Sequence, residues 1–144
     1  MNAQVLWVKK MAKMPKVVMD MFNDPAASKV LATIDETGVP NVAPLGTLRA
    51  INEETIAFAD IYGGKTKRNL EKTKKAASVV FKYPPPVGYQ IKGTFVGWQT
   101  SGPLFDMLDK RMKEIMKVGI KRVGTIKVEE VYSMGMPEPG KKMV

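Results

Sequence analysis

The segment with the residue types and spacing to do chemistry is residues 55–69, TIAFADIYGGKTKRN: an apolar run, two glycines and a basic helix start. Gly63 and Gly64 let the backbone approach a ligand closely. Thr66 is placed to cap the helix that follows. The free N–H groups and positive dipole end of such a helix form an anion site. Lys65, Lys67 and Arg68 add formal charge there, and Arg suits bidentate contact with phosphate. The chemistry this arrangement serves is capture of a phosphate monoester. Read alone, the segment is equally a solvated basic helix, because 6 of the 11 residues at 65–75 are Lys or Arg. Gly64-Lys65-Thr66 also mimics the end of a nucleotide-binding P-loop. That pattern needs glycine at position 59, where this chain has Ala59.

The rest of the composition narrows the chemistry by exclusion. The 144 residues include no Cys and no His. Disulfides, thiolate nucleophiles, imidazole acid–base catalysis and a Ser-His-Asp triad are therefore excluded, and the usual zinc ligands are missing. What remains is carboxylate, Lys, Arg and hydroxyl chemistry, or a borrowed cofactor. The formal net charge is +9, which attracts phosphate in any form. The length fits a single domain over 1–144, with 1–14 as an N-terminal extension and 137–144 as an irregular tail. The apolar run Val5-Leu6-Trp7-Val8 is short, and Lys9, Lys10 and Lys13 follow it rather than precede it, so no signal peptide is read. No window approaches the roughly 20 apolar residues of a membrane span. A cytoplasmic location is the expectation.

The elements that must position the basic turn follow from periodicity and breakers. Pro15 opens a helix over 15–22, with Val18, Met19 and Phe22 on one face. Residues 28–34 read as a strand, and Asp35-Glu36-Thr37-Gly38 as a turn. Residues 39–51 read as a second strand, interrupted by Pro44 and Gly46 at a bulge or an edge. Strands follow at 55–61, 77–83, 89–98 and 121–132. Leu70, Thr73 and Ala77 share a helical face in the basic segment. A helix over 103–117 turns Leu104, Leu108, Met112 and Ile115 inward, and Asp106–Lys110 and Asp109–Lys113 are i,i+4 ion pairs. Six strands and three helices predict a mainly β fold: a six-stranded antiparallel barrel with helices outside it.

This order of elements resembles the FMN-binding split-barrel superfamily, the pyridoxamine 5′-phosphate oxidase-like proteins, and within it the small FMN-binding members. The resemblance runs over roughly residues 15–135. Its pieces are Leu31-Ala32-Thr33 with Gly38-Val39-Pro40, the Lys65-Thr66…Asn69-Leu70 stretch, and the strand Ile91-Lys92-Gly93. It implies a homodimer with FMN at the subunit interface. Lys65, Thr66, Lys67 and Arg68, with Asn69 next to them, match the phosphate-binding loop. Pro44, Leu45, Gly46 and Thr47 match the strand beneath the flavin ring, where backbone groups contact the ring edge. Arg49 is a candidate cation near ring or phosphate, or a solvated strand end. A flavin would carry the electrons, which agrees with a chain without His or Cys. A nicotinamide or a protein would be the electron donor. The true oxidases are longer and bind substrate with Arg and His near the C-terminus. This chain has no His and no Arg from Met134 onward, so that specific activity is not expected.

Other residues have competing readings. Tyr62 adjoins the glycines and is a candidate to stack on a flavin; Trp98 and Tyr89 read rather as core or rim. Asp60 is unpaired in sequence and reads as a strand end more than a general base. The 11 Met residues read as core or interface packing. Lys9, Lys10, Lys13 and Lys16 read as a solvated face. The rival functions are a non-catalytic flavin or deazaflavin carrier, and a basic barrel that binds nucleic acid. The second lacks aromatics within 65–75 on which bases would stack. Neither nucleic acid, membrane nor metal is the expected partner.

Overall fold

The structure is a computed structural model that describes residues 12–135 and 138–144. Three helices and eight strands follow one another as α1 (Lys16–Phe22), β1 (Ser28–Ile34), β2 (Pro40–Pro44), β3 (Arg49–Asn52), β4 (Thr55–Asp60), α2 (Lys65–Thr73), β5 (Lys75–Lys82), β6 (Val87–Gln99), α3 (Pro103–Met116), β7 (Arg122–Ser133) and β8 (Lys141–Lys142). All ladders are antiparallel. The strand order is β2-β1-β5-β6-β7-β4-β3, with β8 on β7.

This corrects the expected six-stranded barrel in two ways. The run 39–51 is not one interrupted strand but two, β2 and β3, which lie at opposite ends of the sheet path. Pro44 and Gly46 mark a crossing rather than a bulge. Only residues 45–48 join the two ends, and the five steps from Pro44 to Arg49 reach at most about 18 Å. The sheet must therefore curl until its ends approach, but no ladder joins β2 to β3 among the described residues. The second correction is at the C-terminus. Lys141 and Lys142, placed in an irregular tail, pair with Ser133 and Tyr132 of β7. At the other terminus, Ala12 and Met14 of the expected extension are buried, and their N–H groups donate to Val128 O and Glu53 O. The readings on Val5, Leu6, Trp7, Val8, Lys9 and Lys10 lie outside the described residues.

Two cores explain the layering. The larger fills the inside of the curl with Leu31, Ile56, Phe58, Val80, Ile91 and Ile126, capped by Val18 and Phe22 of α1 and Leu70 of α2. Each such side chain contributes about 1.5–3 kcal/mol by leaving water. The smaller sits under α3 and joins Ala57, Ala59 and Val123 to Leu108 and Met112. β4 thus alternates large residues toward one core and alanines toward the other, and is buried on both faces. The small side chains of Ala57 and Ala59 let α3 approach closely.

Helix ends differ from the sequence reading in detail. Thr66 does not cap α2; Gly64 is the N-cap residue and no side chain caps it. α2 stops at Thr73, where Lys74 turns left-handed with φ 62°, and Ala77 belongs to β5. On α3, Leu108 and Met112 are buried as expected, but Ile115 is 62% exposed because α3 overhangs its core. Asp109–Lys113 forms at 2.8 Å, whereas Asp106–Lys110 is not among the ion pairs. No helix among the described residues is long and apolar enough to cross a membrane.

Candidate functional site

The expected site residues come from two stretches, 44–49 and 62–69; the structure brings Thr47 and the glycine turn to the end of β4, whereas Arg68 and Asn69 turn elsewhere. Thr47 makes the link. Its Oγ1 accepts from the Ala59 N–H at 3.0 Å and donates to the Ala59 carbonyl at 3.4 Å. The crossing segment is held at its other end by Leu45, whose N–H donates to Lys29 O at 3.0 Å. Pro44, the last residue of edge strand β2, is exposed, as is Gly46. Arg49 opens β3 opposite Ala57. Its Nε is buried and has no hydrogen-bond partner in the structure.

From Asp60 the chain enters the glycine turn. Gly63 and Gly64 have φ of 70° and 82°, a region that only glycine enters without strain. The first α-helical bond of α2 runs from the Arg68 N–H to Gly64 O at 3.1 Å. The amides of Lys65, Thr66 and Lys67 therefore have no partner inside the helix. Lys65 is exposed at the very start of α2, and Thr66 is half-buried behind it. Lys67 donates to Glu71 Oε1 at 2.7 Å, and this bond holds the Glu71 carboxyl below its usual range. Arg68 lines a separate shallow hollow with Asp35 and Glu36. Asn69 turns inward, buried, with Nδ2 donating to Thr33 Oγ1 at 3.1 Å. It ties α2 to β1. Tyr62 is 86% exposed.

Beside the crossing lies a groove of about 550 Å³, walled by Gly46, Thr47, Leu48 and Arg49 on one side and by Leu108, Arg111, Met112 and Ile115 of α3 on the other. Lys29 also lines it. Among the described residues, none of Lys29, Arg49 and Arg111 has a carboxylate partner within ion-pair distance. Burial first, then the nearby charges of Arg111 and Arg49, push the Lys29 ammonium below its ordinary pKa. Gathering cations in a half-apolar groove costs free energy that an anion would offset. Trp98 packs as core, with its ring 4.8 Å from Phe95 and 5.8 Å from Phe58, and Tyr89 packs against the larger core.

Three residues escaped the sequence reading. Arg111 lies on the same stripe as Leu108 and Ile115, so a cation inside an apolar stripe was a visible signal. Lys29 and Arg122 had no such mark. Their importance depends on which strands become neighbours.

The family pattern described as pyridoxamine 5′-phosphate oxidase matches residues 19–135 of this chain. The uncharacterized protein MJ0282 of Methanocaldococcus jannaschii is 29% identical over 116 residues, covering 77% of this chain and 76% of that protein. The crystal structure of HupZ from Group A Streptococcus superposes with a TM-score of 0.78 at 24% identity, over 91% of this chain and 99% of that one. An FMN-binding protein from Syntrophomonas wolfei gives a TM-score of 0.76 at 22% identity, over 83% and 84% of the two chains. Both structural likenesses speak for the fold.

Proposed function

Since the chain belongs to the pyridoxamine 5′-phosphate oxidase family, within the FMN-binding split-barrel superfamily, we propose that it binds FMN at a homodimer interface and serves as an oxidoreductase or electron carrier. Lys65, Thr66 and Lys67 hold the phosphate, together with the free amides at the start of α2, whereas Arg68, expected with them, stands apart in the hollow beside Asp35 and Glu36. Backbone groups of residues 44–47 meet the ring edge, and Arg49 supplies a cation beside it. Tyr62 is free to cover a ligand. The flavin supplies electron transfer; the protein binds it, orients it and shields it from water. A nicotinamide or a protein donor delivers the electrons.

The observation that carries this reading is the Thr47–Ala59 tie. It ties residue 47, assigned on this reading to the ring edge, to the strand that leads into the basic turn, assigned to the phosphate. The three cations that line the groove support it.

A second copy of the chain is supported by the outer face of β2, β1 and β5. Residues directly opposite one another on neighbouring strands share a face. Pro44, Val30 and Val79 are opposite one another, as are Val42, Ala32 and Ala77. This face points away from the buried Leu31 and Thr33, and Val42 is 63% exposed. Apolar side chains gathered on one open sheet face are the kind of surface that a partner covers. Val42→Asp is expected to shift the chain from dimer to monomer in sedimentation velocity; an unchanged sedimentation coefficient rules this face out.

The deciding experiment for the cofactor is an absorption spectrum of protein purified without added ligand, followed by mass spectrometry of the compound released by heat. Flavin bands and the mass of FMN are expected. A deazaflavin mass keeps the site but restricts the chemistry to hydride transfer. A colourless protein that takes up no added FMN overturns the reading.

A further inference from the structure

Asp60 is a buried carboxylate placed immediately before a turn that, on the reading above, must receive a phosphate. By charge alone it is out of place. Its contacts give it another task. Asp60 Oδ1 accepts from the Gly63 N–H at 3.1 Å, and Oδ2 is paired with Arg122 Nη1. Its carbonyl accepts from the Lys121 N–H at 3.0 Å. Asp60 and Arg122 are also directly opposite in the β4–β7 ladder, so two strands fix the pair. The Arg122 guanidinium lies over the Trp98 ring, 5.7 Å from its centroid, which limits its swing.

Lys67 and Arg122 flank the turn. A methyl group at Gly63 would sit 3.8 Å from Arg122 Nη1 and 3.4 Å from the Lys67 side chain. Two consecutive glycines are the most freely moving linkage a chain can have, and α2 has no side-chain cap to orient its start. The hydrogen bond from Gly63 to Asp60 supplies that restraint.

We propose that Asp60 and Arg122 form a clamp that positions the Gly63-Gly64 turn, so that this carboxylate strengthens phosphate binding instead of opposing it. Both are positioning residues: they act through the turn and need not touch the ligand. The inference rests on the FMN reading, and riboflavin separates the two. Riboflavin has the same ring and lacks the phosphate.

The test is calorimetric titration of the full chain, freed of bound flavin, with FMN and with riboflavin. Removing a negative charge beside an anion site would by Coulomb's law tighten FMN binding. Loss of the clamp predicts the opposite sign. Asp60→Ala is expected to weaken FMN binding about tenfold, through the lost ordering of two glycines, and to change riboflavin binding less than about twofold. Arg122→Lys, which keeps the ion pair, is expected to lose less than Arg122→Met. FMN binding that is unchanged or tighter in Asp60→Ala overturns the clamp, as does an equal loss of both ligands in a folded variant. Wild-type protein without preference for FMN over riboflavin overturns the phosphate-site reading and the clamp with it. Should Asp60→Ala fail to fold, Asp60→Asn keeps an acceptor for Gly63 while giving up the charge. The same selective loss, smaller in size, is then expected, and full retention of the FMN preference overturns the clamp.

Discussion

Replacing Lys65 and Lys67 together by alanine is expected to weaken FMN binding about a hundredfold and to leave riboflavin binding nearly unchanged. A hydrogen bond to a charged group contributes about 1.5–3 kcal/mol, and the lower end applies here because Lys65 is exposed and screened by water. Two such losses come to about 3 kcal/mol, which is a little over a hundredfold. Lys67 adds an indirect effect. It engages Glu71 at 2.7 Å, so its removal leaves an unneutralised carboxylate on the same helix turn. That carboxylate then repels the phosphate. Fluorescence titration with the two flavins reads the outcome directly. If the double variant holds FMN as tightly as wild type does, the phosphate is bound elsewhere, and the groove cations Lys29, Arg49 and Arg111 become the next place to look.

Gly93→Ala is expected to be the most damaging single change to the fold. Gly93 lies in β6 at an irregularity in its ladder with β7, where the pairing skips Glu129. A Cβ there would collide with the carbonyl oxygen of Lys127 and come within 3.0 Å of Ile126 Cγ2. A backbone carbonyl in the middle of a ladder has nowhere to go. Overpacking of this kind costs about 3 kcal/mol, a large part of the roughly 5–15 kcal/mol that holds a domain together. The melting temperature should fall by about 10 °C. A fall of only a degree or two would mean that β6 slides to make room. The same glycine belongs to the Ile91-Lys92-Gly93 piece of the family resemblance, and the close approach of β7 is a physical reason for glycine at that position.

Much of this architecture is legible in the residues. SKVLATI runs from Ser28 to Ile34 as a strand with the bounds its composition predicts. The amphipathic stretch after Gly102 forms a helix from Pro103 to Met116. The basic turn lies where the glycines and lysines placed it. What escaped the reading has a common cause: it depends on partners distant in sequence. The halves of 39–51 look alike in period, and nothing local says that one joins β1 while the other joins β4. Asp60 seemed unpaired because Arg122 lies 62 residues away. The spacing puts Ile115 in the core only if α3 packs along its whole length, and its last turn does not. Asn69 was read with the phosphate loop by its neighbours in sequence, whereas the helix turns its amide toward Thr33.

The seam between β2 and β3 ties stability to occupancy. Backbone edges that no ladder laces together open at lower free energy than central strands such as β6 and β7. Residues 45–48 cross that seam. A ligand that binds there only while the seam is shut therefore acts as a latch. At a hundredfold excess over its Kd it raises the free energy of opening by about 2.7 kcal/mol, without adding a covalent bond or a strand. Amide protons beside the crossing would then exchange with solvent more slowly as ligand is added, while those at the centre of the β6–β7 ladder keep their rate. The empty protein would be soft along one line, and filling the site would close that line.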